Sequence, residues 1–179
     1  MHSLDFNLNR PVHMARRDSF FERAMDLLNV PTQQMDTDER LAHITRVLAL
    51  LKTSEHHGNF AAKSPQTTPP EKDFLHFLQL ISHNVQSAQA MIQHQSYFEG
   101  EEGFLSQFLN ARPEESAMPA THYRRRADDI IQGLWHLLQL SHQAYRNLRD
   151  AALSTLDASE ADRYRRAFAS ANEELDAKK

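Results

Sequence analysis

Cysteine is absent from all 179 residues, which excludes disulfides, thiolate nucleophiles and any Cys-ligated zinc or iron–sulfur centre. Glycine is almost as scarce, with four, and most of the seven prolines fall in two clusters. A β-sandwich or barrel needs far more turn punctuation than this, so the scarcity points away from sheet. Long apolar runs are missing too. Nothing approaches the 18 or so residues that a membrane span takes, and none is expected. Residues 1–18 lack the apolar stretch of a secretion signal, so the expected location is the cytoplasm. Basic charge is not in excess either. The net charge of −4 argues against nucleic acid or an anionic membrane as the main partner.

The motifs of common chemistries are also missing. The chain has no Gly-x-Ser-x-Gly, no P-loop and no Gly-x-Gly-x-x-Gly. It has no Glu-x-x-His, the pair that a carboxylate-bridged di-iron bundle places on each of two helices. No catalytic residue, metal ligand or cofactor is therefore expected.

What is present is the composition of an ordinary globular protein, 40% hydrophobic and 25% charged, in a chain long enough for one domain. Residues 1–18 show no hydrophobic period and contain Pro11, and read as an extended or flexible arm. From Ser19 the period is helical. Ser19 with Glu22 fits a capping box, followed by Phe20, Phe21, Ala24, Met25, Leu27 and Leu28 up to Pro31. A second helix, capped at Thr37, carries the stripe Leu41, Ile44, Val47, Leu48 and Leu51. Residues 53–70 collect Ser, Thr, Gly and Pro and read as a mobile loop.

A third helix is expected after Pro69-Pro70, over about 71–98, on the stripe Phe74, Phe77, Leu78, Ile81, Val85, Ala88 and Ile92. A short helix at 104–109 and a loop at 110–120 follow. The strongest period runs over 121–156, where Ala127, Ile131, Leu134, Leu138, Ser141, Tyr145, Leu148 and Ala152 alternate in steps of three and four. Ser159 with Asp162 could cap a fifth helix. The expected fold is all-α: one domain over 19–176, a bundle of four to six helices built on a long antiparallel pair, 71–98 with 121–156.

His76, His83 and His94 fall on one line of the third helix. That line points away from the apolar stripe, and about 10 Å separates His76 from His83, too far for one ion. They read as solvated. Glu39 and His43 read as a surface pair one helical turn apart. Arg124, Arg125 and Arg126 open the fourth helix against its dipole, which invites an acidic partner inside or outside the chain. Gly133, within that helix, is the expected site of a close helix crossing.

With catalysis unsupported, the expectation is a protein-binding module: a regulator, adaptor or secretion-chaperone-like protein offering helical surface to another protein. Phe20, Phe21, Arg124, Arg125 and Arg126 are the candidate contacts, and the seam of 121–156 could join two copies of the chain. The competing expectation is a small-molecule binder or enzyme with a pocket inside the bundle, lined by Trp135, His142 and Tyr145.

Overall fold

The computed structural model describes the backbone of residues 2–32, 34–63, 69–100 and 120–178, with side chains except at 2–8, 37, 94–100, 120–128 and 138. Among the described residues five helices succeed one another: α1 (His2–Leu28), α2 (Thr37–Ala62), α3 (Pro69–Gly100), α4 (Ala120–Leu153) and α5 (Ala158–Ala177). Among the described residues there is no strand, and the chain forms the expected all-α bundle. The short helix expected at 104–109 and the loop at 110–119 lie outside the described residues.

The largest correction concerns residues 1–18. They are not an extended arm: helix α1 begins at His2 and runs through Pro11 without a break. A proline inside a helix removes a backbone donor and costs about 3 kcal/mol, so the local sequence argues against this helix. Burial explains it. Arg10, Met14, Arg17, Phe21, Ala24 and Leu28 are all buried, at the three- and four-residue steps of one helical face. The face was hidden because two of its members are arginines, which a search for apolar period counts as breaks. Ser19 consequently sits mid-helix, buried, donating its hydroxyl to Asn172 Oδ1 on α5 rather than capping an end.

Helix α2 overruns its expected end in the same way. It begins after Asp36, which accepts the Glu39 backbone N–H at 2.8 Å and takes the capping role assigned to Thr37. It then continues to Ala62, so residues 53–62 of the expected loop are helical; residues 64–68 lie outside the described ones. Ser54, Gly58 and Ala61 extend the buried face of Ile44, Val47 and Leu51. Gly58 marks a tight crossing, since a Cβ there would lie 2.9 Å from Leu78 Cδ1 and 3.4 Å from Arg17 Cδ. It reads as a turn signal but serves as a packing surface between three helices. Gly133 reverses the expectation made for it: among the described residues no atom lies within 4 Å of a Cβ built there.

Helix α5 is capped two residues earlier than expected. Asp157 accepts the Glu160 N–H at 2.8 Å while Glu160 accepts the Asp157 N–H at 3.2 Å, a reciprocal capping box.

Two apolar cores result. The larger joins Phe21, Ile44, Phe74, Leu78, Ile131 and Tyr145 with their neighbours, drawing on α1 to α4. Its centre is aromatic: the Tyr145 ring stacks on Phe21 at 4.6 Å and meets Phe74 edge-on at 5.8 Å. Such pairs add about 0.5–1.5 kcal/mol each beyond the area they bury. The smaller core gathers Met14, Ala15, Ala61, Ala152 and Tyr164. Helices α1, α2 and α4 run through both cores, and Met14 and Ala15, from the stretch expected to be an arm, are part of the second.

Candidate functional site

Between the two cores lies a hub of buried charge. Arg17, wholly buried, donates from Nη1 to Glu71 Oε2 at 2.6 Å and from Nε to Asp18 Oδ1 at 3.0 Å. Its guanidinium carbon sits 3.8 Å from the centre of the Phe74 ring. Arg10 Nη2 lies 3.7 Å from Glu71 Oε1 and donates to Thr155 Oγ1 at 2.8 Å. Tyr164 donates to Asp18 Oδ2, and Ser54 donates to the Arg17 carbonyl at 2.8 Å. Side chains from α1, α2, α3, α5 and the α4–α5 turn thus meet around two cations and two carboxylates.

Burial and pairing pull on Asp18 and Arg17 in opposite directions. Burial pushes the Asp18 carboxyl above its ordinary range, against the opposing pull of Arg17 and of the Tyr164 hydroxyl. Burial also works to lower Arg17, but Asp18 and Glu71 outweigh it and hold the guanidinium above its ordinary value. No solvent reaches these groups, with Arg17, Asp18 and Glu71 all at 0% exposure, so no substrate could meet them without unfolding the hub. Its contacts tie α1, α2, α3, α5 and the α4–α5 turn to one another.

The second feature is a cleft of about 430 Å³ where the end of α1 and the turn after it face α4. Leu28, Val30 and Pro31 form one wall; Ile131 and Trp135 form the other, with Asn29, Thr32, Gln132 and His136 supplying polar atoms. Leu28 and Ile131 are nearly buried at its floor, whereas Val30 and Trp135 are 42% and 37% exposed. The indole N–H of Trp135 donates to Asn29 Oδ1, and Gln139 Nε2 approaches the same oxygen at 3.4 Å. This fixes the indole as a wall of the cleft. Among the described residues lining it there is no carboxylate, lysine or arginine, so the cleft can take an apolar group and exchange amide hydrogen bonds. It offers His136 no acid or base partner for proton transfer.

The other candidates fall as follows. Phe21 is fully buried in the larger core and presents nothing to a partner, which corrects its assignment as a contact. Phe20 is half-buried, its ring 6.1 Å from that of His57. The side chains of Arg124, Arg125 and Arg126 lie outside the described ones. Trp135, His142 and Tyr145 do not share the cleft. Tyr145 is wholly buried, its phenol pushed up by burial and by the nearby Asp18 and Glu22 carboxylates, and His142 lies 6.3 Å from its ring. The seam of α4 faces inward, with Ile131, Leu134, Tyr145 and Ala152 all buried within the chain.

Of the helix-three histidines, His76 and His83 are exposed as expected, and the His94 side chain is outside the described ones. His43 is not on the surface. It is 7% exposed and hydrogen-bonded to the Leu27 backbone, with its pKa lowered by burial first. Arg165 and Arg166 pair with Asp162 at 3.7 and 2.5 Å on an exposed face.

Missed from sequence were the hub and a pair of facing imidazoles, His13 and His57. Glu71 is 54 positions from Arg17 and His57 is 44 from His13, so no local motif joins them. Among the described residues, no helix is long and apolar enough to cross a membrane and no group of three or more potential ligands gathers for a metal. Compared with known proteins, the chain matches no family model, no curated protein and no solved structure.

Proposed function

We infer that this protein is a non-catalytic binding module, a regulator or adaptor acting in the cytoplasm, whose exposed helical surface docks another protein. The observation that carries the reading is Trp135: an indole pinned by Asn29 at the mouth of an apolar, uncharged cleft. Tryptophans held in such positions dominate binding energy at protein interfaces, because they bury much area with little loss of side-chain freedom. The occupant that fits is an uncharged apolar segment of the partner, since a charged side chain would find no counter-ion among the described lining residues. The distribution of titratable groups supports the same reading. The most deeply buried ones are paired with each other in the hub rather than turned towards the cleft.

The chain has one tryptophan, so its fluorescence reports on the cleft directly. Proteins captured by the native chain are compared with those captured by Trp135→Ala and Val30→Asp, each shown by circular dichroism to be folded. A partner lost with both variants, and shifting the Trp135 emission of the native chain when purified, supports the reading. A partner that survives both substitutions, or turnover of a metabolite by the purified chain, overturns it.

A volume of about 430 Å³ also suits a small apolar ligand, which is the second reading. A second copy of the chain is a candidate partner as well. With the α4 seam turned inward, it would meet the opposite face, where Leu140 is 83% exposed; light scattering distinguishes this case.

A further inference from the structure

Where α1 crosses α2, the Nδ1 atoms of His13 and His57 face each other at 2.9 Å. One nitrogen must donate and the other accept, so the contact holds a single proton between the rings. The rings are fixed from both sides. His13 stacks on Phe60 at 4.8 Å and 12°, and His57 stacks on Phe20 at 6.1 Å and 21°. The charged and titratable neighbours are mostly cationic: Arg16 from α1 and His56 from α2, whose ring is 5.6 Å from that of His57, with Lys63 over Phe60. Helix α5 brings Glu174, whose carboxylate lies 4.0 Å from Arg16 and is itself half-exposed. The His56 side is also lined by Lys52 and Glu55 of α2 and by the uncharged Leu75 and Gln79 of α3.

We propose that His13 and His57 form an acid-released latch: the pair fastens α1 to the C-terminal half of α2 while it shares one proton, and opens when both rings are protonated. Two imidazolium rings cannot hydrogen-bond through facing Nδ1–H groups, and at this separation their like charges repel, with Arg16 adding to the effect. A zinc ion is a poorer occupant of the same gap, because two imidazoles fall short of the three or four protein ligands it takes.

The basicity of the rings agrees. Burial first, then the neighbouring cations, lowers His57 from the ordinary 6.5 to about 4, and burial followed by Arg16 and His56 lowers His13. For a base whose folded pKa lies below its unfolded one, the stability it contributes is complete above about pH 6.5. It is lost as pH falls from there towards the folded value. After allowance for the half-exposed site, the folding constant drops by about tenfold between pH 7 and 5 on account of this pair.

The test is urea unfolding at pH 7, 6 and 5 of the native chain and of His57→Gln, whose amide can hydrogen-bond His13 but takes up no proton. The expected result is a pH dependence shallower in His57→Gln by about tenfold in folding constant across that range. The same acidification should reduce hydrogen-exchange protection of residues 10–20 and 54–62 in the native chain alone. Equal pH dependence in the two proteins overturns the latch. Should His57→Gln not fold, the histidine resonances of the native chain decide: titration of His57 well below 6.5 supports the proposal, and both rings titrating near 6.5 overturn it.

Discussion

Replacing Arg17 by methionine keeps an unbranched stem, shortens the side chain and removes the charge, and the structure sets how much that matters. Arg17 is at 0% exposure, with partners at 2.6 Å on Glu71 and 3.0 Å on Asp18 that are equally buried. Without it, the described partners that remain are Arg10, 3.7 Å from Glu71, and the Tyr164 hydroxyl on Asp18. Two carboxylates then stand in the interior with too little compensation. Breaking a buried pair from one side costs about 3–5 kcal/mol. That is a large share of the roughly 5–15 kcal/mol by which a domain is stable. In a chain of this size, each kcal/mol is worth about 2–4 °C, so the melting temperature should fall by roughly 6–20 °C.

Urea unfolding followed by circular dichroism measures the loss, and the deficit should narrow on acidification as the unpaired carboxylates take up protons. The double variant Arg17→Met/Glu71→Leu should lose less than the sum of the two single variants, because replacing both ends leaves one fewer orphan charge. A loss below about 1 kcal/mol for Arg17→Met, or strict additivity in the cycle, would refute the hub as a tie between the helices.

Three further outcomes follow from particular contacts. Gly133→Ala should raise stability by up to about 1 kcal/mol in thermal unfolding, since the added methyl meets no described atom within 4 Å and the helix gains a better former. Gly58→Ala should do the opposite despite the same gain in propensity, because its Cβ would press to 2.9 Å on Leu78 and 3.4 Å on Arg17. Asp157→Ala should lose about 1 kcal/mol by removing one arm of the α5 capping box, measurable as a lower urea midpoint with an unchanged slope.

Legibility in the sequence tracked the chemistry of each helical face. In α3, Phe74, Leu78, Ile81, Val85, Ala88 and Ile92 are all apolar and all buried, so period alone identifies both the helix and its inward side. The same holds for Ile131, Leu134, Tyr145 and Ala152 in α4. The first half of α1 and the last third of α2 failed that reading, because their buried positions hold Arg10, Arg17, Ser54 and Gly58. Polar and small residues at core positions are indistinguishable from a loop or a solvated face until their partners are known. Those partners are distant: Glu71 is 54 positions from Arg17, Tyr164 is 146 from Asp18, and Asn29 is 106 from Trp135. The candidate site suffered the same loss. Trp135 was a visible singularity, but nothing near it in the chain announced Asn29 or Val30 as the facing wall.

From the amino acids alone came the helical character of the chain and the apolar faces of α3 and α4, since helix formation and amphipathic spacing are settled within a few turns of backbone. Which charges go inside, where helices cross closely and which indole borders a cleft were decided only by the tertiary fold. A buried arginine is tolerable solely where another helix delivers a carboxylate to it, and that meeting is a property of the assembled bundle.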